Sequence, residues 1–496
     1  MILEIKQNNF SGGISEDKRV QDWTKFSVSK NFDAFTYPRK LVPYAKMEDS
    51  FDDVSTYEIR KVIYAPYTAG NYRLFGFGVV AGTTRAKIFD LVPTGNLDAT
   101  AWNPTTNGEA TEAARDTNVF FYYKGFIYYW RASRYLARFD VTISVAIDES
   151  YKDVTSFANV AQPVHHPSDD VAYFFHDNIV DKLNNTTWTS NALVLPTNLK
   201  IVSACPYGNY LAIGCVTVGY SADIRSIVYL WDRDSSITTL TERIDFGEGS
   251  LAHLANLNNK LIGVINFYAN SSLGSNNSKI LIKQASGQFA LQLNEITVDT
   301  TTGTPLPRTS YVRNNVLYFP MIAQLDGDTR EGIWGVNENG KVTLEIGQDA
   351  ITAILGIYAT GNLWWVAFYS GAYKLYHIDD DSAYSTTIPA VFETLIINGG
   401  DSAKTKKLLA VSVSTEPLPA TASIVLKYRI NEETSWTTIF TNTTDNSISH
   451  SSVNIEATGV NLPEFKELQL RIESLGGAIL TGWKAKMETI SKDIYD

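Results

Sequence analysis

Between Gly361 and Asp379 the chain reads Gly-Asn-Leu-Trp-Trp-Val-Ala-Phe-Tyr, then Ser-Gly-Ala, then Tyr-Lys-Leu-Tyr-His-Ile-Asp. Two runs rich in aromatic and β-branched residues around a short glycine-bearing turn specify a β-hairpin. What constrains the fold is that this hairpin recurs. A polar or glycine lead-in followed by a large apolar anchor is found at Leu74, Ile127, Leu211, Leu261, Leu317 and Leu363. The partner run ends in Asp or Asn, at Asp90, Asp140, Asp232, Asn337 and Asp379. The anchors lie about 50 residues apart, except for one double-length interval from Ile127 to Leu211 that holds a degenerate copy at 171–175.

A sheet-forming unit repeated at this period predicts an all-β fold built around a β-propeller. Residues 51–388 accommodate about seven blades, with six or eight also compatible. The unit near 165–200 is the weakest, and a helical or irregular insert is compatible with its residues. On either side the character changes. Residues 1–50 contain no copy of the unit and read as an extended N-terminal arm, packed either across its own propeller or on a neighbouring subunit. Residues 389–496 show alternating runs at 407–413, 423–430 and 467–472, separated by Pro417, Pro419, Pro463 and a polar tract. About eight short strands there predict a C-terminal β-sandwich of jelly-roll or immunoglobulin-like type.

Composition narrows the function. Of 496 residues 44% are hydrophobic and 12% aromatic, enough for real cores, while 19% are charged, below the usual quarter for soluble domains. A net charge of −11 argues against a general nucleic-acid binder, because phosphate contacts need Lys and Arg. An acidic wall past which DNA slides remains compatible, since like charge prevents adhesion. No run approaches the length of a membrane-spanning helix, and the start at Met1 lacks the pattern of a signal peptide. The two cysteines flank the turn 206–209, so Cys205 should face a residue near Tyr210 rather than Cys215, and both are expected as small buried apolar side chains.

Candidate chemistry is sparse. Asn431 to Trp436 comes nearest to the Ser-x-Asp-x-Gly-x-Thr-Trp turn of sialidase-type propellers, but lacks its Asp and Gly and reads as a plain hairpin turn. Trp231-Asp232 reads as one more strand-ending Asp. The acidic groups Asp169-Asp170, Asp326/Asp328 and Asp379-Asp380-Asp381 lie where turns are expected and read as solvated, although Asp326, Asp328 and Glu331 could converge on a Ca²⁺ ion. His165-His166 is a tight pair, but adjacent strand residues point to opposite faces, which disfavours a metal. The aromatics at 128–130 and 364–365 could line a sugar groove, and blade core is the commoner use of such residues. No residue is therefore assigned as catalytic, cofactor-binding or metal-binding, no cofactor is expected, and the chain is read as not an enzyme.

The arm carries Phe10-Ser-Gly-Gly-Ile14, then Asn31-Phe32-Asp33, then the extended run from Pro38 to Pro43. Over about 35 residues this resembles virion proteins of tailed bacteriophages, of the tail-nozzle and tail-tubular type in short-tailed phages. The chain is shorter than many nozzle proteins and has a separate C-terminal domain. The resemblance implies a structural component of the virion tail, assembled in the host cytoplasm. Its partners would be further copies of itself in a ring and other tail proteins, with DNA passing through without specific binding and no membrane involved. The alternatives are a carbohydrate-binding or carbohydrate-active propeller that meets a host receptor, and a cellular interaction scaffold.

Overall fold

A computed structural model describes residues 2–15, 17–37, 39–49, 57–68, 71–80, 86–91, 102–109, 119–131, 134–141, 147–154, 156–218, 224–236, 240–268, 276–285, 287–298, 309–325, 328–347, 353–360, 363–369, 373–378, 383–431, 433–443, 450–454 and 463–490. All regular structure among them is β.

Among the described residues seven antiparallel meanders follow one another. Their strands span 57–109, 120–153, 160–194, 199–248, 250–298 and 311–347, and the seventh runs over 353–378. Each of the first six has four strands. The seventh has three of its own and takes its fourth, Glu48–Asp49, from the segment before the first module, with Asp49 opposite Tyr376 and Glu48 opposite His377. The first strands of successive modules lie side by side, except that the fifth module's meets the second strand of the sixth, and that of the seventh, Ala353–Thr360, lies against that of the first, Tyr57–Thr68. Sheets set face to face around one axis in this way form a β-propeller.

The recurring hairpin lies at the centre of each module. All six anchors fall on second strands: Asn71–Val80, Phe126–Arg131, Tyr210–Thr217, Lys260–Tyr268, Val316–Leu325 and Leu363–Tyr369. Ile127, Leu211 and Leu261 are fully buried there. Asp90, Asp140 and Asn337 lie on third strands and Asp232 directly follows one, so Ile127 faces Phe139 beside Asp140 and Leu211 faces Trp231 beside Asp232; Asp379 lies outside the described residues. The third module is a complete meander, Val160–His166 through Thr187–Val194, where an irregular insert had been compatible with the residues. Its second strand, Val171–His176, is buried at every position, so it shows no alternation.

Packing explains why the unit is copied. Among the described residues the second to sixth modules are apolar on both faces, and separate cores fill the gaps from the first module through to the seventh. Ile63, Phe75, Phe120 and Phe139 join the first and second modules. Trp130, Phe157, Phe174 and Leu183 join the second and third. In five modules the first strand carries at least one extra residue against the second, for example between Ile201 and Ser203 and between Leu251 and His253. Such a bulge bends the inner strand and switches the face on which side chains fall. It turns Cys205 into the core shared with the fifth module, while Cys215, on the second strand, lies in the core shared with the third. The register sets Cys205 opposite Ala212 and Cys215 opposite Ile201, and both thiols are free and buried. Sheets come so close here that a Cβ at Gly214 would lie 2.3 Å from Leu251 Cδ2.

The segment 1–50 is built into its own chain as strands. Ile2–Gln7 pairs with Leu480–Thr489 throughout its length. Val28–Lys30 pairs with Ala390–Glu393 and, in parallel, with the last strand of the sixth module, Val342–Gly347. The C-terminal part therefore consists of two sheets over one core. One contains Ile2–Gln7, Leu480–Thr489, Lys406–Thr415 and His450–Asn454; the other runs Val28–Lys30, Ala390–Glu393, Leu468–Leu475, Ser423–Ile430, Thr437–Asn442. Leu408, Val411 and Trp483 meet Phe392, Leu426 and Leu470 across it, with Phe10, Phe26 and Phe32 from the arm. Seven of these strands come from residues after 389 and two from the first thirty, which share that core rather than forming a separate arm.

Two polar ties hold this junction. Trp483 Nε1 donates to Gln7 Oε1 at 2.9 Å. The buried Lys406 ammonium donates to three carbonyls, those of Asp401, Lys404 and Lys466. Phe10 is 0% exposed and packs edge-on against Phe392 at 5.4 Å. Phe10→Ala should therefore cost about 3–5 kcal/mol in urea unfolding, whereas Ile2→Ala, at a residue 58% exposed, should shift it by less than about 0.5 kcal/mol.

Candidate functional site

The inner strands of a propeller converge on its axis, and here they are stitched by polar side chains. Lys61 Nζ donates to Gln162 Oε1 at 2.6 Å, and Gln162 Nε2 donates to the Phe120 carbonyl at 2.9 Å, linking the first three modules. Ser203 Oγ accepts from Leu254 N, and Asn256 Nδ2 donates to the Pro206 carbonyl, linking the fourth and fifth. Tyr358 Oη donates to the Tyr64 carbonyl, linking seventh to first. Between the inner strands of modules three to six lies a cavity of about 410 Å³ lined by Gln162, Ser203, Cys205, His253, Asn256 and Tyr311 among others. Asn256 Oδ1 and His253 Nε2 have no partner among the described residues.

The titratable groups of this cavity are poor reagents. Burial pushes the Cys205 thiol up, so it is not a thiolate near neutral pH. Burial pushes the His253 imidazole down to about 3, which keeps it neutral and makes it a weak base. The cavity can hold water or a small neutral polar ligand, but it brings together no activated nucleophile and base.

The His253 shift has a sign. The folded state binds its proton only near pH 3, the unfolded chain near the ordinary imidazole value of 6.5. Stability from this group is whole above pH 6.5 and falls on acidification, by about 1.4 kcal/mol per unit down to roughly pH 3. Equilibrium unfolding between pH 7 and 5 should show this loss, and His253→Gln should remove about 2 kcal/mol of it.

A second polar assembly joins modules three and four. His166 is fully buried at the end of its strand. Its Nε2 lies 3.0 Å from the Tyr210 carbonyl and must donate; its Nδ1 accepts from Arg233 Nη1 at 3.1 Å and from Ser168 N. The ring is thus held neutral in one tautomer, and burial with the Arg233 charge lowers its pKa. Asp169 binds Arg233 at 2.6 Å and accepts from Tyr173 Oη. Asp170 is more exposed, beside Lys124 and His165. His165 and His166 do point to opposite sides, and the carboxylates of the turn serve as ties.

The other sequence candidates disperse. Tyr128, Tyr129 and Trp130 are all buried between modules, so they line no sugar groove. The side chains of Trp364 and Trp365, Asp326 and Asp328, and Asp379 to Asp381 lie outside the described residues. Trp231 is buried against Tyr173, 5.9 Å between rings. Asn431 opens the turn between Ser423–Ile430 and Thr437–Asn442, with φ of 48° and its Oδ1 accepting from Lys466 N. Among the described residues no group of three His, Cys, Asp or Glu is placed to hold a metal.

Sequence reasoning missed a cleft of about 700 Å³ where the segment 17–19, the hairpin at 329–330 and the C-terminal sheet meet. Strands 423–430 and 468–475 alternate: Leu426, Tyr428, Leu470 and Ile472 enter the core, and Lys427, Arg429, Gln469 and Arg471 stand on the outer face. Glu473 joins them through Lys427 and Arg471, and Glu393 through Arg471 at 3.2 Å. Trp436 folds over this face, with the guanidinium carbons of Arg429 and Arg471 at 4.5 and 5.8 Å from its ring. The alternation was legible, but charges on partner strands become neighbours only once the register is known.

No family model and no curated protein matches this chain in sequence. Among solved structures it is similar to the outer-coat vertex of COPII on membranes, at 11% identity and TM-score 0.41, covering 65% of this chain and 84% of that one. It is also similar to oligogalacturonate lyase in complex with manganese, at 11% identity and TM-score 0.41, covering 69% and 98%. A third likeness is the exo-β-1,3-galactanase of Phanerochaete chrysosporium, at 10% identity and TM-score 0.32, covering 77% and 97%. Likenesses this distant say nothing about what the chain binds or does.

Proposed function

We propose that this chain is a seven-bladed β-propeller carrying a C-terminal β-sandwich, and that it is a structural component of a tailed-bacteriophage virion. It works through protein–protein interfaces as a tail protein, assembling with further copies into a ring, with DNA passing by an acidic surface that does not hold it. It catalyses no reaction in this role and needs no cofactor.

The observation that supports this reading is where the phage-like residues lie. Phe10 and Phe32 are fully buried in the core shared by the two C-terminal sheets. Gly13, at φ 72°, accepts from Phe26 N through its carbonyl, and a Cβ there would lie 2.9 Å from the Val342 carbonyl of the sixth module. Asp33 accepts from the backbone of Phe35 and Thr36 and turns the chain toward the closing strand. The motif is thus the part of the sequence that fastens propeller to sandwich, so a resemblance in it is a resemblance in architecture. Net charge of −11 favours a surface that repels DNA.

Light scattering and negative-stain microscopy test the ring directly. A discrete closed oligomer, a whole multiple of 55.1 kDa, is expected, together with no retardation of duplex DNA at about 0.15 M salt. A monomer at all concentrations would overturn the ring, and salt-sensitive DNA binding would overturn the passive wall.

A further inference from the structure

The outer face of the C-terminal sheet holds charged side chains in an order that a solvated surface does not require. Gln469 is 4% exposed and fixed at both ends of its amide: Nε2 donates to the Thr394 carbonyl at 2.7 Å, and Oε1 accepts from Arg429 Nε at 2.8 Å. Glu393, 3% exposed, and Glu473 hold Arg471 from two sides. A buried polar floor therefore orients two guanidinium groups against one indole. Arg429 spends only Nε on this floor, and neither of its Nη nitrogens has a partner among the described residues. Its Nε meets a neutral amide rather than a carboxylate, so no ion pair on this floor holds its outer fork.

We infer that this cleft is a binding site for a carboxylate-bearing saccharide, a glycan unit of the uronic-acid kind. The free fork of Arg429 fits a carboxylate bidentately. Trp436 is only partly buried and keeps indole surface for the C–H face of a sugar ring. The exposed Glu433 on the rim supplies acceptors for hydroxyl groups, and Glu467, which also meets Arg19, can supply another. A volume of about 700 Å³ lies within the range of small-ligand sites. The lining is a sheet face of polar side chains, without the apolar groove or free strand edge that a peptide uses. The site is independent of the tail-component reading: either can fail without the other.

The test is calorimetric titration of the full-length protein with a uronic-acid trisaccharide, its neutral counterpart of the same linkage, sodium sulfate and a glutamate-rich peptide. The acidic trisaccharide is expected to bind, and the neutral one at least about tenfold more weakly. Arg429→Gln and Trp436→Ala should each weaken binding by about tenfold or more while melting as the wild type does. Arg429→Lys should restore only part, because an ammonium cannot present the fork. The inference is overturned if neither sugar binds the wild type, if the two bind alike, or if Arg429→Gln binds undiminished. Sulfate competing as well as the sugar would reduce the site to an anion hole, and a tighter peptide would make it a protein-docking site; both results contradict the inference.

Discussion

Everything in this fold depends on sheets that are apolar on both faces. Such a sheet cannot stop at one neighbour, because its second face would still meet water. Each module solves this by packing against the next, as Trp130 and Phe174 do between the second and third, and Leu211 and Tyr173 between the third and fourth. Only a closed circle leaves no face uncovered. Closure falls to a few residues, since the seventh module completes itself with Glu48–Asp49 from before the first. The same segment drops Tyr44 into the sixth module, where its hydroxyl donates to the buried Glu345 at 3.0 Å. Burial, with the nearby Asp33 charge, pushes that carboxyl up to about 8, so near neutral pH it is largely protonated and the tie is a hydrogen bond between neutral groups.

The first fifty residues thus do the work of a clasp. They contribute an edge strand to one C-terminal sheet, a bridging strand between the other sheet and the propeller, and the closing strand of the ring. Val28–Lys30 makes the sheets of the fifth and sixth modules continuous with the C-terminal sheet. The pairing of Ile2 with Glu488 spans nearly the whole chain, so it carries the loop-closure cost of a very long loop. That cost is offset by fully buried aromatics, Phe10, Phe26 and Phe32, which settle the clasp into a core rather than leaving it on the surface.

How much of this was legible follows from where side chains report on their surroundings. The second and third strands were plain because their anchors alternate with polar lead-ins and end in Asp or Asn at turns. The first strands were not: they carry a bulge, as at Val202 and Ala252, which breaks the period of two that a sequence reader follows. The third module hid for another reason, since 171–176 is buried on both faces and shows a plain apolar run. The arm strands Ile2–Gln7, Val28–Lys30 and Glu48–Asp49 are two to six residues long and pair with partners hundreds of positions away, a relation that local pattern does not encode. Of the site, the Trp436 turn was seen as a hairpin, and it is one. Its meaning as the cover over Arg429 and Arg471 depends on the pairing of Arg429 with Gln469, forty residues on.

Several ionisable residues inside the fold are consumed by its own joints: His166 with Arg233 and Tyr210, His176 with Asp181, Lys406 with three carbonyls. They lock neighbouring sheets and turns, and buried His253 is an exception, its Nε2 without a partner among the described residues. The central claim, a ring shut by the segment that precedes it, is tested most directly by a cross-link across the seam. Positions 48 and 377 are paired in register, within the reach of a disulfide. In a Glu48→Cys, His377→Cys double variant, mild oxidation should give an intramolecular bond in nearly every molecule, seen as faster mobility on a non-reducing gel, with no loss of thermal stability. If both introduced thiols instead stay free and open to labelling, the seam is not closed there and the account is wrong.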